Sequence, residues 1–305
     1  QLLQILEACR EALPSGPVIH VHVPKTAGSS LCGWANESGL AIASTEKSLC
    51  HLRGDGPVWL GHQAAAATCA QRLREAGRLN VSWMSVERWV DLPLCEEFTY
   101  VVALREPVAR VLHNFRHVFN YYSFNDATDF WRREDISGLL ADFFGRLRRY
   151  SDLRGGLRNR SAGARRDDDW LDLWQGLASN YQVRSLAGAG GGEAFTEDSA
   201  TAVRRLHAAK QVLEQFDAVL VVGNGLVKAW SVALLGRLLG MRRWASFPTV
   251  LHRPVDSDLF SPYTWSPGEF EELRARNAAD AELVRHARLL QRLDREYFSM
   301  VSVFA

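Results

Sequence analysis

Short runs of β-branched and aromatic residues alternate along this 305-residue chain with longer stretches of helical periodicity. Segment 18–23 alternates valine and isoleucine with histidine, which predicts a strand. Segment 98–104 is an unbroken apolar run, typical of a strand covered on both faces. Apolar residues recur every three to four positions in several longer segments. We predict helices over 1–13, 170–186, 199–216, 226–239 and 267–298.

Strand–loop–helix units recur along the chain, with further short strands predicted at 58–62 and 218–222. This order predicts an α/β fold: a single P-loop-like domain with a mostly parallel central sheet flanked by helices. We place an N-terminal helical segment at 1–16 and the main domain at 17–305. The arginine-rich, glycine-containing stretch 145–169 lacks apolar periodicity, so we predict a flexible insertion there.

Charge and hydropathy exclude two classes of partner. The chain has 36 basic and 35 acidic residues, a net charge of +1, which gives no global affinity for nucleic acid. It also has no apolar run of about 18 residues, so we expect no transmembrane segment in this sequence. Affinity for a polyanion would have to come from a local patch.

The five cysteines show neither a CxxC pair nor a cysteine–histidine spacing typical of zinc, so we expect no metal. Buried free thiols, or one or two disulfides with one thiol left over, both remain open. Sequons at Asn36, Asn80 and Asn159 favour a secretory protein. We therefore expect the Golgi lumen or secretory pathway, with any membrane anchor outside this sequence and the cytoplasm as the alternative.

The loop after the first strand, 24–30 (PKTAGSS), is the most informative stretch. A strand that enters a short glycine-containing loop, followed by serines at a helix start, directs backbone N–H groups towards one point. Ser29 or Ser30 is predicted to cap this helix, which should run towards Gly39. Lys25 adds a mobile positive charge. The lysine precedes the glycine, so this is an anion-binding loop and not a Walker A motif.

A second basic element follows the apolar strand at 98–104. Arg105 stands at the carboxyl end of that strand, where open α/β sheets bind ligands, and Pro107 predicts a helix start. A bidentate arginine at this position suits a phosphate group. Two anion-binding elements at one sheet edge predict a ligand with two separated phosphates.

The motifs PKTAGSS (24–30) and LREPVARVLHNFRHV (104–118) resemble the phosphosulfate loop and the 3′-phosphate motif of Golgi-type carbohydrate sulfotransferases. The likeness is closest to heparan sulfate 6-O-sulfotransferases and plant-type tyrosylprotein sulfotransferases. Stretches 178–188, 209–240 and 277–285 extend it. The chain departs from the family pattern at Glu106 (aspartate), at His113 (serine) and at the 223–225 turn.

The resemblance implies the fold of these enzymes and the donor 3′-phosphoadenosine 5′-phosphosulfate, used without a metal. Lys25 would stabilise the leaving oxygen, and Arg105 with His113 would bind the 3′-phosphate. Lys25 would also bind the donor, and the resemblance assigns the 5′-phosphate to Thr26, Ala27, Gly28, Ser29 and Ser30. The acceptor would be a hydroxyl on a carbohydrate. A tyrosyl-protein or small-molecule sulfotransferase, and a catalytically weak nucleotide- or polyanion-binding module, are the alternatives.

The acceptor hydroxyl needs a base. His62, at the end of the predicted strand 58–62, matches the histidine base of the family, with a structural role as the alternative; Glu87 or another carboxylate is the fallback base. His20 and His22 are interpreted as core residues, with one of them facing the site as the alternative, and His51 as a surface or structural residue. His117 and Trp131 are candidates for contact with the acceptor.

Overall fold

A computed structural model gives the structure of the protein. It describes residues 16–44, 50–51, 67–87, 90, 93–114, 178–188, 199–223, 229–239 and 266–304. The predictions for 1–13, 58–62 and 145–169, and most of the helix predicted from residue 170, lie outside these residues.

Four parallel strands form one sheet in the order β2-β1-β3-β4. The strands are β1 (Val18–Val21), β2 (Trp83–Val86), β3 (Thr99–Arg105) and β4 (Ala218–Val222). The predicted parallel α/β sheet is therefore confirmed. β4 matches its prediction, β3 is shifted by one residue, and β1 ends two residues early. β2 was not predicted.

Helices cover both faces of this sheet. They are α1 (Gly28–Glu37), α2 (Cys69–Leu79), α3 (Tyr181–Leu186), α4 (Ser199–Leu213), α5 (Ala229–Leu238), α6 (Pro267–Arg276) and α7 (Ala278–Phe304). Residues 107–114 are also helical, as Pro107 predicts.

Successive residues of each strand point to opposite faces, so each strand contributes to two separate cores. One core joins the sheet to α3, α4 and α7, and the other joins it to α1 and α5. In β3, for example, Val102 and Leu104 enter the first core, whereas Val101 and Ala103 enter the second. Burial on both faces explains why the central strands are unbroken apolar runs.

Two of the predicted helices, 170–186 and 267–298, are each interrupted at an asparagine, so both predictions were wrong there. Residues 179–180 are not helical, and Asn180 has a positive φ of 41°. The final helical region is broken at Asn277, whose Nδ2 donates to the carbonyls of Ala178 and Leu273. The Asn180 N–H in turn donates to Asn277 Oδ1 at 3.1 Å. The two helix boundaries therefore fix each other across almost a hundred residues of sequence.

Two disulfides, Cys32–Cys50 and Cys69–Cys95, pair four of the five cysteines. The structure thus selects the two-disulfide alternative for the cysteines that it describes. Cys32–Cys50 ties the segment 50–51 to α1. Within the described part of the chain, no helix is both long enough and apolar enough to cross a membrane.

Candidate functional site

The predicted anion-binding residues lie where the strand order of the sheet reverses. From β1 the chain adds β2 on one side, and β3 then pairs with the opposite side of β1. Ligands of open parallel sheets bind outside the carboxyl ends of the strands at such a reversal. The loop after β1 and the end of β3 are the two segments that flank this crevice.

The loop after β1 has an unusual backbone. Lys25 and Ala27 have positive φ angles of 69° and 73°, although neither is glycine. Between them, the buried Thr26 hydroxyl donates to the Val23 carbonyl at 2.7 Å and closes the turn. Conformations of this kind persist only where the surroundings enforce them, and they cluster at ligand sites. The Thr26 hydroxyl proton is committed inside the loop, so the residue can offer a ligand mainly its backbone N–H.

The amino end of α1 faces the same crevice. The N-cap residue is Ala27, without a side-chain cap, so the prediction that Ser29 or Ser30 caps the helix was wrong. Both serines instead lie within the first turn, half-buried. The first N–H groups of a helix have no acceptor inside it. With no acidic residue in the first turn to compensate them, they and the helix dipole favour an anion.

Gly28 allows the close approach of a neighbouring histidine. A Cβ on Gly28 would lie 2.1 Å from Nε2 of His22, which is impossible without displacement. His22 is buried, so its ring has little room to move. The absence of a side chain at residue 28 therefore lets the β1 end, the loop and α1 pack together.

Lys25 is the titratable cation of the loop. Burial lowers its pKa from 10.5 to about 8, and the carboxylate of Glu87 opposes that shift. The lysine is still mostly protonated at neutral pH. A partly desolvated ammonium group attracts an anion more strongly than a fully hydrated one, because water screens it less.

Arg105 reaches the loop directly. Its Nη1 donates to the Lys25 carbonyl at 3.3 Å, so the two predicted anion-binding elements are in contact. Arg105 is buried, and burial is the main cause that lowers its pKa. An arginine remains charged at neutral pH even so. The lysine-bearing loop, the arginine guanidinium and a helix amino end therefore lie together at one edge of the sheet.

Gln182 holds the backbone of Arg105 in place. Its Oε1 accepts from the Arg105 N–H at 3.0 Å, and its Nε2 donates to the Arg105 carbonyl at 2.9 Å. Asp280 supports this clamp, since its carboxylate accepts from the N–H groups of Gln182 and Val183. The side chains of Arg105, Gln182 and Asp280 are all buried. The sequence suggested Gln182 only as one letter of a family motif, whereas the structure shows its contact with Arg105.

Among the other predicted residues, His113 lies half-buried on the 107–114 helix, two turns after Arg105. Glu87 directly follows β2, so it lies at the carboxyl edge of the sheet. His62, His117 and Trp131 lie outside the described residues.

His22, His51 and Glu87 form a cluster beside the loop. Nothing in the sequence indicates that these three residues lie together. His22 Nδ1 is 3.1 Å from His51 Nε2, and that nitrogen is 3.9 Å from Glu87 Oε2. Burial, then the nearby His20, His51 and Lys25, keep the pKa of His22 well below its usual range. His20 is fully buried, its Nδ1 is 3.0 Å from Ser85 Oγ, and burial lowers its pKa to about 3.

His51 owes its place to long-range contacts. Its neighbour Cys50 is bonded to Cys32 of α1, and the Cys50 carbonyl accepts from the Ser85 N–H at 2.9 Å. No periodicity around residue 51 signals this position. The only sequence signal was the presence of five cysteines, which left their pairing open.

The arrangement places two cationic residues and a helix amino end at one edge of the sheet, with a histidine–carboxylate cluster next to them. A scan against models of known protein families and a search of curated proteins both found no match to this chain.

Proposed function

We propose that the protein is a sulfotransferase that uses 3′-phosphoadenosine 5′-phosphosulfate, with the fold of that enzyme family. The observation that carries the proposal is the contact between Arg105 Nη1 and the Lys25 carbonyl at the strand-order reversal. It brings two cationic elements to one crevice, and a nucleotide with phosphates at both its 3′ and 5′ ends needs such a pair. The motif resemblance of 24–30 and 104–118 supports this donor.

In the proposed reaction, the acceptor oxygen attacks sulfur in line with the bond to the 5′-phosphate oxygen. The new S–O bond forms as the old one breaks, and the acceptor proton passes to a base. Charge develops on the departing phosphate oxygen, where Lys25 and the amino end of α1 would stabilise it. The transition state is loose, so positioning and charge supply most of the catalysis.

His62 remains our proposed base by resemblance. Among the described residues, Glu87 with His51 is the alternative, since both lie at the same edge of the sheet. The acceptor is proposed to be a glycan hydroxyl. The two disulfides fit an oxidising compartment, and we accordingly propose the secretory pathway.

The test is transfer of labelled sulfate from the donor to a panel of glycans and tyrosine peptides, with binding of adenosine 3′,5′-bisphosphate measured in parallel. We expect both transfer and binding. Arg105→Ala should weaken bisphosphate binding by about 2–4 kcal/mol, because a charge-assisted contact is lost. Arg78→Ala is the matched control, since Arg78 pairs with Glu75 on the exposed face of α2.

His62→Ala separates the catalytic role from binding: turnover should fall by about 10²-fold or more with bisphosphate affinity unchanged. An unaffected rate would remove His62 as the base and turn attention to Glu87. Bisphosphate binding without transfer to any acceptor would favour a binding module. No binding at all, or equal binding by the Arg105→Ala variant, would overturn the proposed donor site.

A further inference from the structure

The cluster of His22, His51 and Glu87 has no role in the proposed sulfuryl transfer when His62 is the base. Its three possible ligand atoms are Nδ1 of His22, Nε2 of His51 and a carboxylate oxygen of Glu87. Each of the three residues offers one ligand atom within 4.8 Å of the other two. They come from three separate segments, namely the end of β1, the segment 50–51 and the end of β2.

The spacing of these atoms suits a tetrahedral metal ion. Ligands about 2.0–2.1 Å from zinc stand about 3.3 Å apart along the edges of a tetrahedron. The nitrogen–nitrogen distance is 3.1 Å, and the distance from His51 Nε2 to Glu87 Oε2 is 3.9 Å. Small side-chain rotations of the partly exposed His51 and Glu87 would bring all three atoms to one ion.

One ligand of the cluster and the backbone of a second are held in place before any ion binds. His22 is buried, with its Nε2 side packed against Gly28, which leaves Nδ1 directed to His51. The Cys32–Cys50 disulfide and the bond from Ser85 N–H to the Cys50 carbonyl fix the backbone beside His51. Rigid ligands lose little conformational entropy on binding, which favours affinity.

We propose that His22, His51 and Glu87 bind a divalent metal ion of the zinc class. Two imidazoles and one carboxylate are a common ligand set for a site that keeps a coordination position open. This departs from the metal-free site expected from the sequence, where the ligands are too far apart to form a recognisable spacing. The inference does not depend on sulfuryl transfer.

Lys25 supplies an internal check. Its positive charge acts on His22 and on Glu87, so it opposes a cation in the same place. Removing it should therefore tighten metal binding while weakening the binding of an anionic nucleotide. Metal bound at a distant part of the protein surface would not respond to this change, because charges separated by more than a Debye length are largely screened.

The experiment uses the full chain with its disulfides intact, freed of metal by a chelator. Zn²⁺ binding is measured by competition with a chromophoric chelator, and Co²⁺ absorption reports the coordination geometry. We expect a site with tetrahedral Co²⁺ bands whose Zn²⁺ affinity falls at least tenfold in His51→Ala and in Glu87→Gln. Lys25→Met should raise that affinity. The control is His207→Ala, which removes an exposed histidine from α4.

If His51→Ala fails to fold, Glu87→Gln still tests the metal site. The Glu87 side chain is 41% exposed and glutamine is nearly isosteric with it, so this variant should fold. Equal Zn²⁺ affinity in the wild type and Glu87→Gln would overturn the proposal. It would leave the cluster as a hydrogen-bonded histidine pair beside a carboxylate. Neither result bears on bisphosphate binding in chelator, which tests the proposed function separately.

Discussion

In the proposed donor site, Lys25 should make nucleotide binding depend on pH between 7 and 9. Burial lowers its pKa to about 8, so the ammonium group is about 90% protonated at pH 7 and about 10% at pH 9. If binding needs the charged form, the Kd for adenosine 3′,5′-bisphosphate should rise about tenfold over that interval. The sign is fixed: affinity is lost as pH rises.

Few other groups of the crevice change charge over the same interval. The ligand phosphates have a second pKa of about 6 and are fully charged above pH 7. Burial keeps the pKa values of His20 and His22 below their usual range, so both are neutral throughout. Arg105 stays protonated. Of these side chains only Lys25 titrates in this interval, and comparison with Lys25→Arg isolates its share of the dependence.

Isothermal titration calorimetry at pH 7, 8 and 9, in buffers of different ionisation enthalpy, measures both the Kd and the proton uptake. The bound anion raises the pKa of the lysine, so about half a proton should be taken up per nucleotide at pH 8. Lys25→Arg is the matched control, because it keeps the charge at every pH tested. A flat profile in the wild type, or an equal slope in Lys25→Arg, would refute the assignment.

The same pKa shift has the opposite consequence for stability. The folded protein holds fewer protons on Lys25 than the unfolded chain does between pH 8 and 10.5. The free energy of unfolding should therefore increase as pH rises through this window, so Lys25 makes the protein more stable at higher pH. Comparing urea unfolding of the wild type and Lys25→Met over the window isolates that contribution.

Two further substitutions test how the site is built. Gly28→Ala should lower both the stability of the protein and its bisphosphate affinity, since its Cβ would lie 2.1 Å from a buried imidazole. A Cβ on Gly77 would meet nothing within 4 Å, so Gly77→Ala should instead stabilise the protein by about 0.5–1 kcal/mol in thermal unfolding. If Gly28→Ala behaves like Gly77→Ala, the close approach is not needed. Gln182→Leu should reduce bisphosphate affinity by loosening Arg105, whereas Gln291→Leu, which also removes a buried hydrogen bond, should reduce stability alone. Equal nucleotide affinity in these two leucine variants would contradict the positioning role.

Much of the sheet could be predicted because its strands are local signals. β3 and β4 coincide with apolar runs between polar turns. Such runs can be recognised without knowing which strands they pair with. β2 was missed because it has only four residues (WMSV), without alternation. The rule that ligands lie at strand carboxyl ends placed Lys25 and Arg105 at one edge before the strand order was known.

The remaining features depend on contacts between distant residues. The breaks at Asn180 and Asn277 exist because each residue bonds the other's surroundings, so the periodicity of either helix alone is misleading. His51 reaches the site through a disulfide and the pairing of residue 50 with β2. Local propensity contains neither kind of information, and tertiary contacts override it.

The loop 24–28 itself gives a physical reason to regard the crevice as a binding site. A turn with no role beyond connecting β1 to α1 would be more stable with glycine at its positive-φ positions and a polar N-cap. This chain instead has Lys25 and Ala27 at those positions, at a cost of about 1–2 kcal/mol each, and leaves the helix uncapped. Surrounding contacts, such as the bond from Arg105 to the loop carbonyl, hold this conformation. A bound anion would stabilise both the uncapped N–H groups and the lysine. The strained loop conformation is therefore what the proposed anion-binding function would require.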